Sequence, residues 1–402
     1  VGLSGDKAVV RPFLLVKRGL LALAVLTALA TSGGAEPLQT SVPHAILMDA
    51  DSGTVLFEKG ADDLVTPAST AKIMTAELVF QRLKGGTLKP DQMFRVSETA
   101  WRQGGAPSRG STMFAKLNSE ISVNDLLHGL IIDSANDAAI VLAEGVAGSQ
   151  GAFAVLMTRR ARELGLSHLS FTDAWGAANP DQKVTAREMA LLALHIAKTY
   201  PDLYRIFAER DFLWNKIKQP NRNPLLAMDI GADGLKTGNI DESGFAIVGS
   251  AVENGQRLVV AIYGAQKASE RAEEARKMLQ WGFRTFEARK VFAAGDVVAS
   301  ADVYGGTART VPLVTESDVK VLVPRDGAER LSAKVVYMGP LMAPVAAGGA
   351  EASLKLYRGD TEILKVPLHT ANEVPVGSLP ERALDAGLGY VGDLFRKYVL
   401  RS

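Results

Sequence analysis

Ser69 and Lys72 stand three residues apart in PASTAKIMTAELV, where a polar, proline-containing lead-in gives way to an apolar helical pattern. Residues i and i+3 share a helix face, so a hydroxyl and an amine would point the same way at the helix start. A serine hydroxyl is a weak nucleophile and needs an adjacent base. A lysine serves if desolvation or a nearby cation lowers its pKa. The spacing alone is poor evidence, because Ser4 with Lys7 and Ser317 with Lys320 repeat it. Only at Ser69 does the pair open an apolar helix, whose partial positive end would lie near the serine oxygen. A capping serine followed by a surface lysine stays open as the alternative for this pair taken alone.

Two further triplets could complete such a site. Ser134-Ala135-Asn136 separates the runs DLLHGLIID and DAAIVLAEG, where a serine could pass a proton and an amide could hold a lysine and a substrate amide. Ser122-Val123-Asn124 has the same spelling, but it precedes a helix, where capping accounts for it. Lys236-Thr237-Gly238 opens a set of strands and offers a cation, a hydroxyl and a close backbone approach to an anionic substrate.

The elements that must position these residues follow from the hydrophobic pattern. AILMDADSGTVLFEK reads as two short strands turning at Asp51-Ser52-Gly53. Helical periodicity covers about 69–84, 122–147, 151–165 and 185–199. Strand character returns at GLKTG, GFAIVGSAV and RLVVAIYGA, the last two joined through Asn254-Gly255, and a helix over about 269–287 follows. Strands at both ends of a helical block predict an α+β domain whose terminal strands pair in one antiparallel sheet under helices. From 291 to 377 short alternating stretches spaced by Gly, Pro and Asp predict a small all-β domain. The last segment, 378–402, starts with a capping-box spacing at Ser378 and Glu381. It carries Leu384, Leu388, Val391, Phe395 and Tyr398 on one stripe. Gly387, Gly389 and Gly392 weaken that amphipathic helix, so it needs a surface to cover its stripe: a bilayer is the expected one, and the protein's own β domain is the alternative.

Composition excludes other chemistry. The 402 residues hold no cysteine, which removes disulfides, thiol catalysis and Cys-ligated metals. The five histidines lack paired ligand spacing, so no metal or other cofactor is expected. A formal charge of +1 gives no broad basic face for nucleic acid. At the amino terminus, Lys7, Arg11, Lys17 and Arg18 precede the apolar run GLLALAVLTALA and the small residues up to Ala35. That order predicts a signal peptide over 1–35, with an uncleaved anchor as the alternative, and in either case an exported protein on the periplasmic face of a bacterial inner membrane. The expected domains are thus 36–290 for the chemistry, 291–377 for the β domain and 378–402 for the anchoring helix.

Ser69-Thr-Ala-Lys72, Ser134-Ala-Asn136 and Lys236-Thr-Gly238, in that order, resemble the three active-site motifs of penicillin-binding proteins and serine β-lactamases. With the flanks SVNDLLHGLIIDSANDAAIVLAEG, DGLKTGN and MLQWGF, the chain is similar to the D-alanyl-D-alanine carboxypeptidases of serine peptidase family S11. The likeness extends over about 40–290 and on into that family's β domain and terminal helix. The resemblance implies that Ser69 attacks the penultimate D-alanine of a peptidoglycan stem peptide, with Lys72 as general base. It implies that Ser134 relays the proton, that Asn136 orients Lys72 and the substrate amide, and that Lys236 and Thr237 meet the terminal carboxylate. It further implies an oxyanion hole formed by the backbone N–H groups of Ser69 and Asn239 beside Gly238, and a part for Arg271 in binding the carboxylate, with Arg276 close by as a rival. β-Lactams would acylate the same serine. Ala135 stands where many members have glycine, Asn239 where many have histidine, and FTDAWGAANPDQKVT lacks the usual Asn-Pro-x-Gly wording. A serine β-lactamase is disfavoured by the missing E-x-x-L-N string. A D,D-endopeptidase of the same family and a non-catalytic peptidoglycan-binding protein are the remaining alternatives.

Overall fold

The computed structural model describes residues 38–240, 243–325, 331–349, 352–358, 361–380 and 382–383. The expected signal segment lies outside the described residues, as does 384–402 of the expected anchoring helix. The chain divides into two compact units, one ending at Thr285 and one beginning at Phe286.

In the first unit β1 (His44–Asp49) and β2 (Val55–Lys59) form the predicted hairpin. Asp49 closes its turn by accepting from the Ser52 N–H at 2.8 Å and the Ser52 hydroxyl at 2.6 Å. A 3-10 turn at Ala68–Ala71 then leads into α1 (Lys72–Lys84). The antiparallel pair of β3 (Met93–Arg95) and β4 (Glu120–Ser122), joined by a long connection, precedes α2 (Val123–Ile131), which Ser122 caps through the Asp125 N–H, as expected. Next come α3 (Asn136–Ala147), α4 (Gln150–Glu163), α5 (Ala186–Thr199) and the short α6 (Pro201–Tyr204). The span 122–147, expected to be helical, is broken by the Ser134 turn that the sequence marked.

A second hairpin, β5 (Asp211–Trp214) with β6 (Ile217–Pro220), was not anticipated. The unit closes with β7 (Ala232–Ile240), β8 (Gly244–Glu253), β9 (Gln256–Ala265) and α7 (Ala268–Thr285). Asn254 and Gly255 both take positive φ at the β8–β9 turn, as an Asn-Gly hairpin requires. The antiparallel sheet runs β2-β1-β9-β8-β7. Terminal strands therefore pair as predicted, and the strand bearing Lys236-Thr237-Gly238 lies at an edge, where its backbone can receive an extended ligand.

Helix α1 is the buried axis of this unit. Every residue from Lys72 to Phe80 is buried, and Ile73, Met74 and Phe80 share one core with Leu142, Met189, Val248 and Ala261. A helix buried on all sides must satisfy its polar residues internally. Thr75 donates to the Ala174 carbonyl at 2.6 Å. Glu77 accepts from Arg160 Nε at 3.0 Å, Arg160 Nη2 at 2.9 Å and the Tyr200 hydroxyl at 3.1 Å. Lys72 is the remaining polar group on the axis, and its partners define the site.

The second unit is all-β, as predicted. A pair of β10 (Phe286–Phe292) and β13 (Val319–Pro324) accompanies a six-stranded sheet. That sheet contains β11 (Val297–Tyr304), β12 (Thr310–Val314), β14 (Leu331–Tyr337), β15 (Leu341–Met342), β16 (Ala352–Arg358) and β17 (Thr361–Thr370). Val303, Leu313, Leu354 and Leu368 form its core. Residues 286–290, expected within the first domain, instead start β10. The stretch EARKV has only intermediate or exposed residues. It therefore lacks the alternation that marks a half-buried strand.

Candidate active site

Three chain segments converge on Lys72. Its Nζ donates to Ser69 Oγ at 2.9 Å, to Asn136 Oδ1 at 2.8 Å and to the Trp175 carbonyl at 2.9 Å. Three N–H donors meet three acceptors, so the ammonium is fully satisfied. When the amine loses a proton, one partner must give one back. The amide oxygen and the carbonyl have none, which leaves the Ser69 hydroxyl as the donor to the lone pair. The hydrogen-bond set thus aims a neutral Lys72 at Ser69. Burial drives its pKa from 10.5 down to about 7, opposed by the charges of Asp173 and Asp137. The amine is therefore substantially neutral near pH 7, as a general base must be.

The backbone around Ser69 is held in an uncommon form. Ala68 takes φ +50°, a left-handed conformation costly for a residue with a Cβ. The glycine opposite explains how it is enforced. A Cβ at Gly176, itself at φ +85°, would lie 1.8 Å from the Ala68 carbonyl oxygen. The loop can approach only because Gly176 has no side chain. Asp173 shapes that loop by accepting from the backbone N–H groups of Trp175, Gly176 and Ala177 and from Gln182 Nε2 at 2.6 Å. It thereby sets the Trp175 carbonyl that receives Lys72.

Asn136 is the first residue of α3, and its N–H donates to the Ser111 carbonyl at 2.8 Å. Its neighbour Asp137 anchors the facing segment through the Thr112 hydroxyl at 2.6 Å and the Met113 and Ala115 N–H groups at 3.0 Å each. Ser134, at φ +59°, is buried in the turn before α3. Its hydroxyl makes no hydrogen bond to Ser69 or Lys72 in this structure, so a proton relay needs a bridging substrate or water.

On the opposite side β7 carries Lys236, 1 % exposed, whose Nζ has no hydrogen-bond partner. Burial lowers its pKa well below the usual lysine range, and the cations of Lys72, Arg222 and Arg271 push it the same way. Thr237 is 8 % exposed and Asn239 is exposed. A Cβ on Gly238 would lie 3.0 Å from Ala68 Cβ, 3.1 Å from the Pro67 carbonyl oxygen and 3.3 Å from Ser69 N. Glycine therefore lets the strand edge meet the backbone of the nucleophile. Of the rival arginines, Arg271 has a buried Nε without a partner and lies 5.7 Å over the Phe245 ring, whereas Arg276 is engaged by Glu273 and Gln280. A cavity of about 650 Å³ extends past Asn239, bounded by Thr66, Lys183, Ser243 and Phe245. It could hold more of a ligand than its reacting end.

Sequence reasoning missed Trp175, Asp173 and Gly176. They act through a carbonyl, a turn and an absent side chain, and the unusual wording of FTDAWGAANPDQKVT was the one visible signal. Among the described residues no cluster of His, Asp and Glu could hold a metal ion.

A serine and a desolvated lysine, an amide at a helix start and a cation-bearing strand edge now stand together. Residues 31–267 match the D-alanyl-D-alanine carboxypeptidase family of S11 peptidases, and residues 286–376 match the C-terminal domain of penicillin-binding protein 5. The chain belongs to the D-alanyl-D-alanine carboxypeptidase family. It is 38 % identical over 343 residues to the D-alanyl-D-alanine carboxypeptidase DacC of Escherichia coli, covering 85 % of this chain and 86 % of that one. Penicillin-binding protein 5 from Haemophilus influenzae has a similar solved structure. Its TM-score is 0.77 at 34 % identity, over 85 % of this chain and all of the other. Penicillin-binding protein D2 from Listeria monocytogenes, solved in its ampicillin-bound form, is 28 % identical with a TM-score of 0.54, over 61 % of this chain and 99 % of that one. Both carboxypeptidase units are thus represented in this chain.

Proposed function

We infer that this chain is a serine D,D-carboxypeptidase that removes the terminal D-alanine from peptidoglycan stem peptides ending in D-Ala-D-Ala. The observation that carries the reading is the 2.9 Å contact between Ser69 Oγ and Lys72 Nζ, with the amine desolvated to a pKa of about 7. Ser69 attacks the carbonyl of the penultimate D-alanine while Lys72 accepts its proton. The tetrahedral oxyanion lies toward the N–H groups of Ser69 and Asn239, where one lost donor typically costs about 3 kcal/mol. Ser134, beside the leaving amine, gives its hydroxyl proton to that amine and takes up the proton held by Lys72, so D-alanine departs as a neutral amine and the lysine is free to act again. Asn136 holds Lys72 and the substrate amide. Lys236, Thr237 and Arg271 take the terminal carboxylate, a reading supported by the buried Lys236 Nζ and Arg271 Nε, neither of which has a hydrogen-bond partner. Water then attacks the Ser69 ester, with Lys72 again as base, and regenerates the enzyme.

A β-lactam presents a strained amide and a carboxylate to the same groups, so penicillins acylate Ser69. The test is mass spectrometry after brief exposure to benzylpenicillin. A single adduct on the peptide containing Ser69, absent in Ser69→Ala, supports the reading, and an unmodified Ser69 contradicts it.

We place the enzyme on the periplasmic face of the inner membrane. The basic and apolar segments before Ala35 and the amphipathic pattern of 378–402 support this reading. Deleting 378–402 should release the protein from membrane fractions without loss of activity. Retention of the truncated chain in those fractions would refute the anchoring role.

A further inference from the structure

The turn that carries Ser134 also carries a buried acid that the three motifs leave unused. Asp133 lies between the end of α2 at Ile131 and the start of α3 at Asn136. The turn is pinned from three directions: the Ala135 N–H donates to the Gly129 carbonyl at 2.9 Å, the Asn136 N–H to Ser111, and the Arg222 N–H to the Ile132 carbonyl at 3.3 Å. Asp133 is 1 % exposed, and its Oδ1 has no hydrogen-bond partner. A carboxylate withdrawn from water without such bonds loses its charge unless a cation compensates.

Lys236 presents the complementary problem. Its ammonium is equally buried and equally unpartnered, and three cations, Lys72, Arg222 and Arg271, bear on it. The anion that opposes them is Asp133. Reciprocally, the cations acting on Asp133 are Arg222 and Lys236, while Asp137 and burial work against its charge. No ion-pair contact joins Asp133 and Lys236, so a gap separates two charges that each lack a direct partner.

We propose that Asp133 is a positioning residue for Lys236, its buried carboxylate opposing the loss of the lysine's charge and favouring an ammonium that faces the terminal carboxylate of the substrate. The proposal rests on the carboxypeptidase reading and deepens it. It makes the turn before α3 a contributor to substrate charge selection as well as to proton transfer. In this arrangement the Lys236 ammonium stays available to a ligand because its counter-charge stands back from it. A direct salt bridge would compete with the substrate.

The test compares acylation of the full chain by benzylpenicillin, which carries a carboxylate, and by its methyl ester, which does not. For Asp133→Asn the second-order rate constant with benzylpenicillin at pH 8 is expected to fall about tenfold or more, the effect of about one unit of lost charge stabilisation at Lys236. The ester rate should stay within about twofold, so the acid-to-ester ratio collapses. The alkaline limb of the benzylpenicillin profile should also move to lower pH. Asp133→Glu should restore much of the ratio. An Asp133→Asn ratio equal to wild type overturns the proposal, whether the absolute rates are high or low, because a merely structural role would slow both probes alike. Wild-type protein acylated by neither probe would instead overturn the carboxypeptidase reading and this proposal with it.

Discussion

The charge state of Lys72 can be read from the pH dependence of acylation. An exposed lysine titrates near 10.5, and burial brings this one to about 7. The rate of Ser69 acylation follows the neutral fraction of its base. For a base at about 7, that fraction rises about tenfold between pH 6 and 8 and by less than about twofold between pH 8 and 9. For a lysine at its ordinary value, the rate would rise about tenfold per pH unit across the whole range. The probe should be an uncharged penicillin ester, so that titration of Lys236 does not reshape the curve. Stopped-flow measurement of the second-order rate constant from pH 5.5 to 9.5 gives the profile. A plateau above pH 8 is expected, and a rate still climbing tenfold from pH 8 to 9 would refute the assignment of a desolvated Lys72 as the base.

The same shift has a stability counterpart. Between pH 7 and 10.5 the unfolded chain holds a proton on Lys72 that the native state has given up, so this residue makes stability rise with pH across that window. Lys72→Met should therefore abolish acylation while leaving the melting temperature at pH 7 no lower than that of wild type, and a large drop in melting temperature would mean that its hydrogen bonds outweigh its desolvation. Gly238→Ala forces a Cβ to within 3.0 Å of Ala68 and 3.3 Å of Ser69 N, so kcat should fall by more than about tenfold with a nearly unchanged melting temperature; unaltered kcat would show that the strand edge does not need its close approach. Glu77→Ala leaves Arg160 without its buried partner and should cost about 3–5 kcal/mol in denaturant unfolding, with kcat of the folded fraction near wild type. A cost below about 1 kcal/mol would show that solvent takes over from Glu77. Burial opposes the Glu77 charge, but the His195 ring 3.4 Å away and the hydrogen bonds from Arg160 and Tyr200 outweigh it and lower its pKa. The stability it lends is thus present above about pH 4.5 and lost as pH falls through the lowered value.

Much of the site was legible because its chemistry resides in side chains. Ser69, Lys72, Asn136 and Lys236 are of types that few other roles demand in that order, and the helices and strands bearing them follow from hydrophobic period. What stayed hidden depends on backbone or distance. The Trp175 carbonyl belongs to a residue type that signals nothing about carbonyl direction. The positive φ of Ala68 and Ser134 falls on residues that do not advertise it, unlike the Asn254-Gly255 turn. Glu77 reads as an ordinary helix residue, since its partners Arg160 and Tyr200 stand 83 and 123 positions away. Asp133 ends an apolar run and resembles the polar opening of a turn, and only its burial shows otherwise. The strand β10 escaped because EARKV has no buried alternate face.

The most direct test of the central claim is release of D-alanine from diacetyl-Lys-D-Ala-D-Ala by the purified protein and by Ser69→Ala. Stoichiometric release by the wild type, with none from Ser69→Ala, is the expected result. Release by both, or by neither while benzylpenicillin still acylates Ser69, would contradict a serine D,D-carboxypeptidase built on the Ser69–Lys72 pair.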